Sequence, residues 1–395
     1  MSSDPKVSAM RLSSRRFLAF FALAAMASTA AHAEITIGVT LASTGPAAAI
    51  GIQSQNAVRL WPATLGGQPA RYVVLDDGTD VSQAVRNLRK LTAEDKVDAL
   101  VGPNITASAL AGLDVANETG TPLVALAASA SIVEPMSDPR RRWVFKMPQN
   151  DSLMAGALVE HMRAHGVKTV GFIGFGDSYG DSWWKAFNDA AAGNPAIVAQ
   201  ERFQRTDASV TGQALKLMAA KPDAVLVAGS GTPAALPQKT LASRGYKGVI
   251  YQTHGIGTLE FLQLGGKDVE GTLFPTGPGV VARGLPADNP VRKVALDFTE
   301  KYEARYGADT LTQFAGDAWG AWVLLDDAAR RALAGGAQPG TPAFRAALRD
   351  ALEATRDLAV PNGVLNLSPQ DHQGFDARAR VMGVIRDGKF RYAGQ

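Results

Sequence analysis

Two junctions between an apolar run and a helical pattern carry polar groups that could bind an anion. Residues 102–106 form the first junction and residues 127–129 form the second. Backbone N–H groups at the start of a helix have no partners within the helix, and the helix dipole favours negative charge there. Thr106 and Ser129 would add hydroxyl donors, so a small carboxylate could be held without a buried cation. The alternative is that both side chains only cap their helices.

A third pattern, Gly176-Asp177-Ser178-Tyr179-Gly180, matches the G-x-S-x-G turn that presents a nucleophilic serine between a strand and a helix. The acid and the histidine of a hydrolase would follow as Asp317 or Asp326 and then His372. His372 lies in a polar turn, however, and no HGGG-type oxyanion motif precedes the serine. We therefore expect no enzyme, and the test of the hydrolase alternative is whether Ser178 and His372 approach within hydrogen-bond reach.

The sequence predicts neither a metal site nor a cofactor. No cysteine occurs in the chain, and the four histidines after residue 33 are scattered, without H-E-x-x-H spacing. Gly171, Gly174 and Gly176 lack the G-x-G-x-x-G spacing, and no acidic residue ends the next apolar run to hold a ribose. A nicotinamide-dependent dehydrogenase is therefore excluded.

Residues 1–33 have the composition of an export signal. Several arginines, the last two being Arg15-Arg16, precede an apolar run over residues 17–27, and Ala31-His32-Ala33 supplies a small-x-small cleavage site. The run is shorter than the roughly 20 apolar residues that span a bilayer. We expect cleavage near Ala33 and a periplasmic protein. General secretion is the default, and the paired arginines leave the twin-arginine route open.

The charge balance excludes a nucleic-acid partner. Of the 40 basic and 37 acidic residues, four basic residues and one acidic residue lie in residues 1–33. The remaining chain has 36 of each, so the sequence pI of about 9.0 comes from the leader. No basic run or basic–aromatic platform follows, and a nucleic-acid-binding surface is not expected.

From residue 34 onward, short β-branched runs alternate with stretches of helical spacing. Residues 35–41 are typical of a buried strand, and residues 81–92 place apolar side chains at helical spacing. The alternation runs through two cycles and predicts parallel sheets covered by helices on both faces. Longer helices over residues 291–306, 314–333 and 343–354 and a terminal hairpin are expected to follow.

The order of elements predicts an α/β protein of two lobes, each with a doubly wound parallel sheet. A three-strand hinge joins the lobes, and the ligand lies in the cleft between them. Turn-rich segments at residues 148–151, 276–279 and 374–376 mark the three crossings. The predicted first lobe comprises residues 34–149 and 279–375, and the predicted second lobe comprises residues 150–278 and 376–395.

Five segments in a fixed order resemble one known family. They are residues 35–41 followed by Ser43-Thr44-Gly45-Pro46, residues 101–106, residues 122–131, Asp177-Ser178-Tyr179-Gly180 and Val269-Glu270-Gly271-Thr272. In this order they are similar to the type I periplasmic binding proteins of the leucine/isoleucine/valine-binding group. The resemblance implies a monomeric substrate-binding protein of an ABC importer, which closes on a small carboxylate ligand and delivers it to an ABC permease in the inner membrane. A ligand sensor of the same fold is the alternative.

The resemblance also implies which residues contact the ligand. In the family, the positions that match Thr106, Ala127 and Ser129 hold the ligand carboxylate. Tyr179 matches a tyrosine that contacts the ligand from the second lobe, and its ring would close over the ligand while its hydroxyl stays hydrogen-bonded.

The departures from the family pattern include two of the predicted ligand contacts. The carboxylate that binds a ligand ammonium in the amino-acid binders falls near His254, and an aromatic residue of the first lobe is replaced by Ile50. An imidazole is a poor substitute for a fixed negative charge. These differences predict a small ligand with a carboxylate, such as an aromatic or aliphatic acid or a modified amino acid. A branched-chain amino acid stays open, because Asp177, Glu260 or Asp317 could supply the charge.

Overall fold

A computed structural model of the chain describes Met1 and residues 34–394. The predicted signal peptide and its cleavage site at Ala33 lie outside these residues. None of the helices in the described part of the chain has the length and apolar character that crossing a membrane requires.

The first sheet has six strands, and its central strand is completely buried. The strands are β1 (Ile35–Leu41), β2 (Thr64–Leu65), β3 (Gln68–Asp76), β4 (Ala99–Val101), β5 (Leu123–Ala125) and β6 (Val144–Lys146). Their spatial order is β2-β3-β1-β4-β5-β6, and all neighbours are parallel except β2 and β3. The apolar run in β1 is buried at every position because helices pack against both faces of the sheet.

The second sheet has seven strands, and its last two strands form a hairpin. The strands are β7 (Thr169–Phe175), β8 (Ala196–Phe203), β9 (Ala224–Ala228), β10 (Val249–Gln252), β11 (Leu273–Thr276), β14 (Val381–Arg386) and β15 (Lys389–Tyr392). A separate hairpin is formed by β12 (Leu358–Val360) and β13 (Gly363–Leu365). The spatial order is β15-β14-β11-β10-β9-β7-β8, in which β14 and β15 are antiparallel to their neighbours.

Eleven α-helices of the described residues cover the two sheets. They are α1 (Ala48–Val58), α2 (Val81–Ala93), α3 (Thr106–Thr119), α4 (Asp151–Ala164), α5 (Ser178–Ala191), α6 (Thr211–Ala219), α7 (Ala235–Ser243), α8 (Leu259–Gly265), α9 (Arg292–Tyr306), α10 (Gln313–Ala334) and α11 (Pro342–Glu353). Helices α1–α3 and α9–α11 share cores with the first sheet and make up the first lobe. Helices α4–α8 surround the second sheet and make up the second lobe.

Three chain segments pass between the lobes, and amide side chains tie them together. Gln149 in the first crossing donates from Nε2 to the backbone oxygens of Asn362 and Ala379, both at 2.9 Å. Gln313 Oε1 accepts from the Gly277 N–H at 2.9 Å, and its Nε2 donates to Gln149 Oε1 at 3.2 Å. Because a side-chain amide carries both donors and acceptors, these residues link the crossings without burying a charge.

The topology confirms the predicted α/β fold of two lobes with mainly parallel sheets. Each sheet also carries antiparallel strands at one edge, and the prediction missed β2, β6, the β12–β13 hairpin and α8. These elements are short, and short segments give little periodic signal. The lobe boundaries at residues 34–149 with 279–375 and 150–278 with 376–395 remain a proposal.

Helix α5 begins at Ser178, inside the G-x-S-x-G segment. Asp177 caps the helix by accepting from the N–H groups of Tyr179 and Gly180 through Oδ1, at 3.0 and 3.1 Å. Capping satisfies N–H groups that otherwise lack partners, so the helix extends back to Ser178. The G-x-S-x-G segment is therefore the first turn of a capped helix.

Candidate functional site

A small cavity lies between the lobes, where strands of both sheets end. Its volume is about 20 Å³, which is room for roughly one water molecule. The first lobe and the first crossing contribute Ile50, Asn104, Ile105, Thr106, Leu126, Ala128, Pro148, Phe314 and Asp317, and the second lobe contributes Tyr179, Arg205, Ser230, His254 and Gly255. The two walls nearly touch in this conformation, so a ligand the size of an amino acid can enter only when the lobes separate.

Four of the six residues predicted to contact the ligand line this cavity: Ile50, Thr106, Tyr179 and His254. Ala127 and Ser129 do not, although Ala128 between them does. In this conformation, therefore, neither Ala127 nor Ser129 is placed where it could contact a carboxylate in this cavity.

An apolar cluster forms the first-lobe wall of the cavity. Ile50, Ile105 and Phe314 are buried against one another together with two alanines. Gly231 of the second lobe lies opposite, and a Cβ built on it would be 3.6 Å from Ile50 Cδ1. This wall favours a ligand with an apolar body.

Two polar atoms of the lining residues are buried without a partner in the described part of the chain. Thr106 Oγ1 and His254 Nδ1 are both buried, and neither forms a hydrogen bond with any described residue. Burial, together with the charge of Lys146, lowers the pKa of His254 to about 3, so its imidazole is neutral. Because buried polar atoms are nearly always hydrogen-bonded, we regard these two as candidate ligand contacts.

Helix capping explains Ser129 but not Thr106. Ser129 Oγ accepts from the Ser131 N–H at 3.2 Å and so caps a short 3-10 turn. Helix α3 begins after Ile105 and has no side-chain cap. Thr106 therefore stands in the first turn of a helix whose first N–H groups are not bonded to a capping side chain.

The hydroxyl of Tyr179 is hydrogen-bonded within the second lobe. The hydroxyl is 2.8 Å from Thr253 Oγ1, which in turn donates to the backbone oxygen of Gly229 at 2.7 Å. Burial raises the pKa of Tyr179 far above its usual value, so the phenol stays neutral. The side chain lines the cavity with its hydroxyl already occupied.

Only one of the three carboxylates considered for a ligand ammonium lines the cavity. Asp177 caps α5 and accepts from Arg205 Nε at 2.7 Å. Glu260 accepts from Gln53 at 3.4 Å and lies outside the lining. Asp317 lines the cavity, and burial raises its pKa to about 7. Asp317 is therefore a weak counter-charge at neutral pH.

The hydrolase alternative fails on geometry. Ser178 Oγ is buried and has no hydrogen-bond partner in the described part of the chain. Both nitrogens of His372 are occupied elsewhere: Nδ1 lies 2.9 Å from the Val144 carbonyl oxygen, and Nε2 lies 3.2 Å from Glu353 Oε1. A serine nucleophile needs a histidine base within reach, and the structure does not provide one.

Arg205 and Phe314 are among the lining residues that sequence reasoning missed. Arg205 follows β8 by two residues, so its place at the carboxyl end of a strand was the signal that could have identified it. Phe314 lies on α10, far along the chain from its cluster partners, and no local pattern connects it with them.

A chain of hydrogen bonds joins the lobes beside the cavity. Ser129 Oγ lies 2.6 Å from Ser182 Oγ of α5, and Ser182 Oγ also donates to Asp151 Oδ2. Asp151 Oδ1 accepts from the Ala130 N–H at 3.2 Å. The first-lobe loop after β5 is therefore bonded to α4 and α5 of the second lobe.

We expect Ser182→Ala to lower the free energy of unfolding by about 1–3 kcal/mol, because Asp151 Oδ2 loses its donor and Ser129 Oγ loses one of its hydrogen-bond partners. Urea unfolding of the variant and the wild type measures this difference. Ser178→Ala on the same helix is the matched control, since Ser178 Oγ forms no hydrogen bond with a described residue; it should change stability by less than about 0.5 kcal/mol. Equal losses in both variants would contradict the prediction.

Comparison with known proteins agrees with this architecture. A family model described as periplasmic binding protein matches residues 34–389. The crystal structure of an extracellular ligand-binding receptor from Rhodopseudomonas palustris HaA2 is 46% identical in sequence, with a TM-score of 0.87 over 91% of this chain and 100% of that chain. The Leu/Ile/Val-binding protein homolog 3 of Brucella melitensis biotype 1 is 26% identical over 265 residues, which are 65% of this chain and 71% of that protein.

The fold extends to more distant proteins. The substrate-binding protein LivJ from Streptococcus pneumoniae, solved in complex with isoleucine, is 22% identical and has a TM-score of 0.75 over 90% of this chain and 97% of that chain. At this identity the likeness concerns the fold alone. The resemblance to the leucine/isoleucine/valine-binding group is confirmed by the family model and the named relatives. Because that model spans nearly all of the described residues, this chain belongs to the periplasmic binding protein family.

Proposed function

We propose that this protein is the periplasmic substrate-binding component of an ABC importer. It binds a small carboxylate-bearing ligand between its lobes and delivers the ligand to an ABC permease in the inner membrane. The observation that carries the proposal is the interlobe cavity, in which Thr106 Oγ1 and His254 Nδ1 are buried and form no hydrogen bond with residues 34–394. The protein acts as a monomer and performs no chemistry on its ligand.

The charges around the cavity favour an anion over a zwitterion. Thr106 and the uncapped first turn of α3 offer donors, and Arg205 lines the second-lobe wall. Among the described residues that line the cavity, Asp317 has the only carboxylate that could pair with an ammonium group. This carboxylate already accepts from Asn362 Nδ2 at 2.7 Å and from Gln313 Nε2 at 3.1 Å. A branched-chain amino acid is the second candidate, and Asp317 is the residue that would hold its ammonium.

Binding proceeds by hinge closure. The ligand first contacts the open first lobe, and the second lobe then closes over it with Tyr179 and His254. Closure is favoured only to the extent that the ligand binds the closed state more tightly than the open one. The amide side chains of Gln149 and Gln313 hold the crossing segments together while the lobes move about them.

A thermal-shift screen of residues 34–395 tests the ligand class, with leucine and isocaproate as the central pair. The two have the same carbon skeleton, but isocaproate has no ammonium. Phenylacetate is the aromatic carboxylate. A ligand at about 100 times its Kd stabilises the folded state by about 2.7 kcal/mol, which corresponds to a few degrees in melting temperature.

We expect isocaproate or phenylacetate to raise the melting temperature by several degrees and leucine to raise it less. Thr106→Val should reduce the shift, because it removes one of the two unpartnered polar atoms while keeping the volume. A shift with leucine alone would favour the amino-acid candidate. No shift with any of the three ligands would contradict the proposed carboxylate class.

A further inference from the structure

Arg205 is the only cationic side chain among the described residues that line the cavity, since His254 is neutral. A guanidinium cannot lose its charge at any pH that proteins tolerate. The side chain is 13% exposed, so most of it is shielded from water. Salt screens a buried charge less than an exposed one, so the attraction between this guanidinium and a ligand charge is largely retained. The second lobe therefore presents a fixed positive charge to the cleft.

The guanidinium is held in one orientation by three contacts. Nε donates to Asp177 Oδ2 at 2.7 Å, Nη1 donates to Ser230 Oγ at 3.0 Å, and the group lies over the Phe175 ring, 4.1 Å from its centroid. The remaining nitrogen, Nη2, forms no hydrogen bond with any residue that the structure describes. A charged donor that is fixed in place loses little freedom when it binds a carboxylate.

Asp177 only partly neutralises this charge. Its Oδ1 accepts from the N–H groups of Tyr179 and Gly180 at the start of α5, where the helix dipole is also positive. One carboxylate thus serves both a helix N-terminus and Arg205. The local balance of charge stays favourable to an additional anion.

We propose that Arg205 determines the carboxylate specificity of the protein by binding the ligand's negative charge from the second lobe through Nη2. This inference rests on the proposed function and refines it, because the sequence-based assignment placed the carboxylate only at the first-lobe positions Thr106, Ala127 and Ser129. With its anionic end at Arg205, the ligand places its apolar body against Ile50 and Phe314. The ligand class is then a monocarboxylate with an apolar body and no ammonium.

The test compares each acid with its neutral amide, because only a group that binds the negative charge distinguishes the two. Isothermal titration gives the Kd of isocaproate and isocaproamide, and of phenylacetate and phenylacetamide, for the wild type and Arg205→Met. We expect Arg205→Met to reduce the preference for acid over amide by about 30-fold or more, as for the loss of one partner of a desolvated charge pair. Arg205→Lys should keep part of the preference, since it keeps the charge without the planar fork.

Arg202→Met is the matched control. Arg202 lies near the end of β8, three residues before Arg205; it pairs with Asp181 at 3.0 Å and does not line the cavity, so this variant should keep the wild-type preference. Melting temperatures of all variants show whether each is folded. An unchanged preference in Arg205→Met, or an equal loss of affinity for acid and amide, would overturn the inference while leaving the proposed function intact. Failure of both acids to bind the wild type would overturn the inference alone if leucine binds, and would contradict the proposed carboxylate class if leucine does not bind either.

Discussion

Replacing Gly180 with alanine is expected to lower the free energy of unfolding by about 3 kcal/mol, at the upper end of the usual cost of overpacking. Gly180 lies in the first turn of α5, directly beside the end of β7. A Cβ at this position would be 1.9 Å from the backbone oxygen of Phe175 and 2.7 Å from its carbonyl carbon. Both neighbours are backbone atoms of regular elements, so neither can move aside cheaply.

The same substitution should also impair ligand binding. Tyr179 precedes Gly180, and the Arg205 guanidinium lies over the ring of Phe175, so a displaced helix start moves two residues of the cavity wall. Urea unfolding measures the first effect, and the thermal shift with isocaproate measures the second. We expect isocaproate to raise the melting temperature of the variant less than it raises that of the wild type.

Gly212→Ala is the control for Gly180→Ala. Gly212 is also in the first turn of a helix, α6, but a Cβ there would meet no atom within 4 Å. Alanine is the better helix former, so this variant should be more stable than the wild type by about 0.5–1 kcal/mol. The explanation by steric contact is wrong if the two alanine variants have the same stability.

Asp317→Asn is expected to remove a large pH dependence of stability. Burial raises the pKa of Asp317 from 3.8 to about 7. Between these two pH values the folded state keeps a proton on Asp317 that the unfolded state has lost, so the contribution of Asp317 to stability falls as the pH rises from roughly 4 to 7. A pKa difference of about 3 corresponds to at most about 4 kcal/mol. Asparagine cannot titrate, and the variant should lose this slope.

The nearby charge of Lys146 affects stability in a different pH range. Burial lowers the pKa of Lys146 from 10.5 to about 7, and in that interval the unfolded state binds the extra proton, so the contribution of Lys146 to stability increases with pH above 7. The two groups are therefore separable in a pH series. The substitution itself keeps an oxygen that can accept from Asn362, and any cost at the second oxygen is the same at every pH.

Urea unfolding at a series of pH values between roughly 4 and 7 tests the prediction for Asp317. Asp327→Asn removes the same charge from the partly exposed side of the same helix and should retain the wild-type slope. If Asp317→Asn retains that slope as well, the buried carboxyl is not its source. The variant also addresses ligand choice, because loss of a leucine shift in Asp317→Asn would identify this residue as the partner of an ammonium group.

The local spacing of apolar residues was sufficient to predict most of the fold. The predicted helix over residues 81–92 is α2 (Val81–Ala93), and the predicted strand over residues 35–41 is β1 (Ile35–Leu41). Long periodic segments are predictable because the spacing of their apolar side chains already expresses which face is buried. Strands β6, β12 and β13 escaped prediction because runs of three residues give little periodic signal.

The sequence by itself determined that two α/β lobes form and that polar groups such as Thr106 follow their strands. The tertiary structure alone decided which of those groups share a cavity. Phe314 reaches the wall from a helix more than two hundred residues beyond Ile50, and Ser129 is bonded to Ser182 of the other lobe instead of lining the cleft. The physical reason is that strand-end residues meet only through the crossings and the packing of one lobe against the other, and neither leaves a periodic trace in the chain.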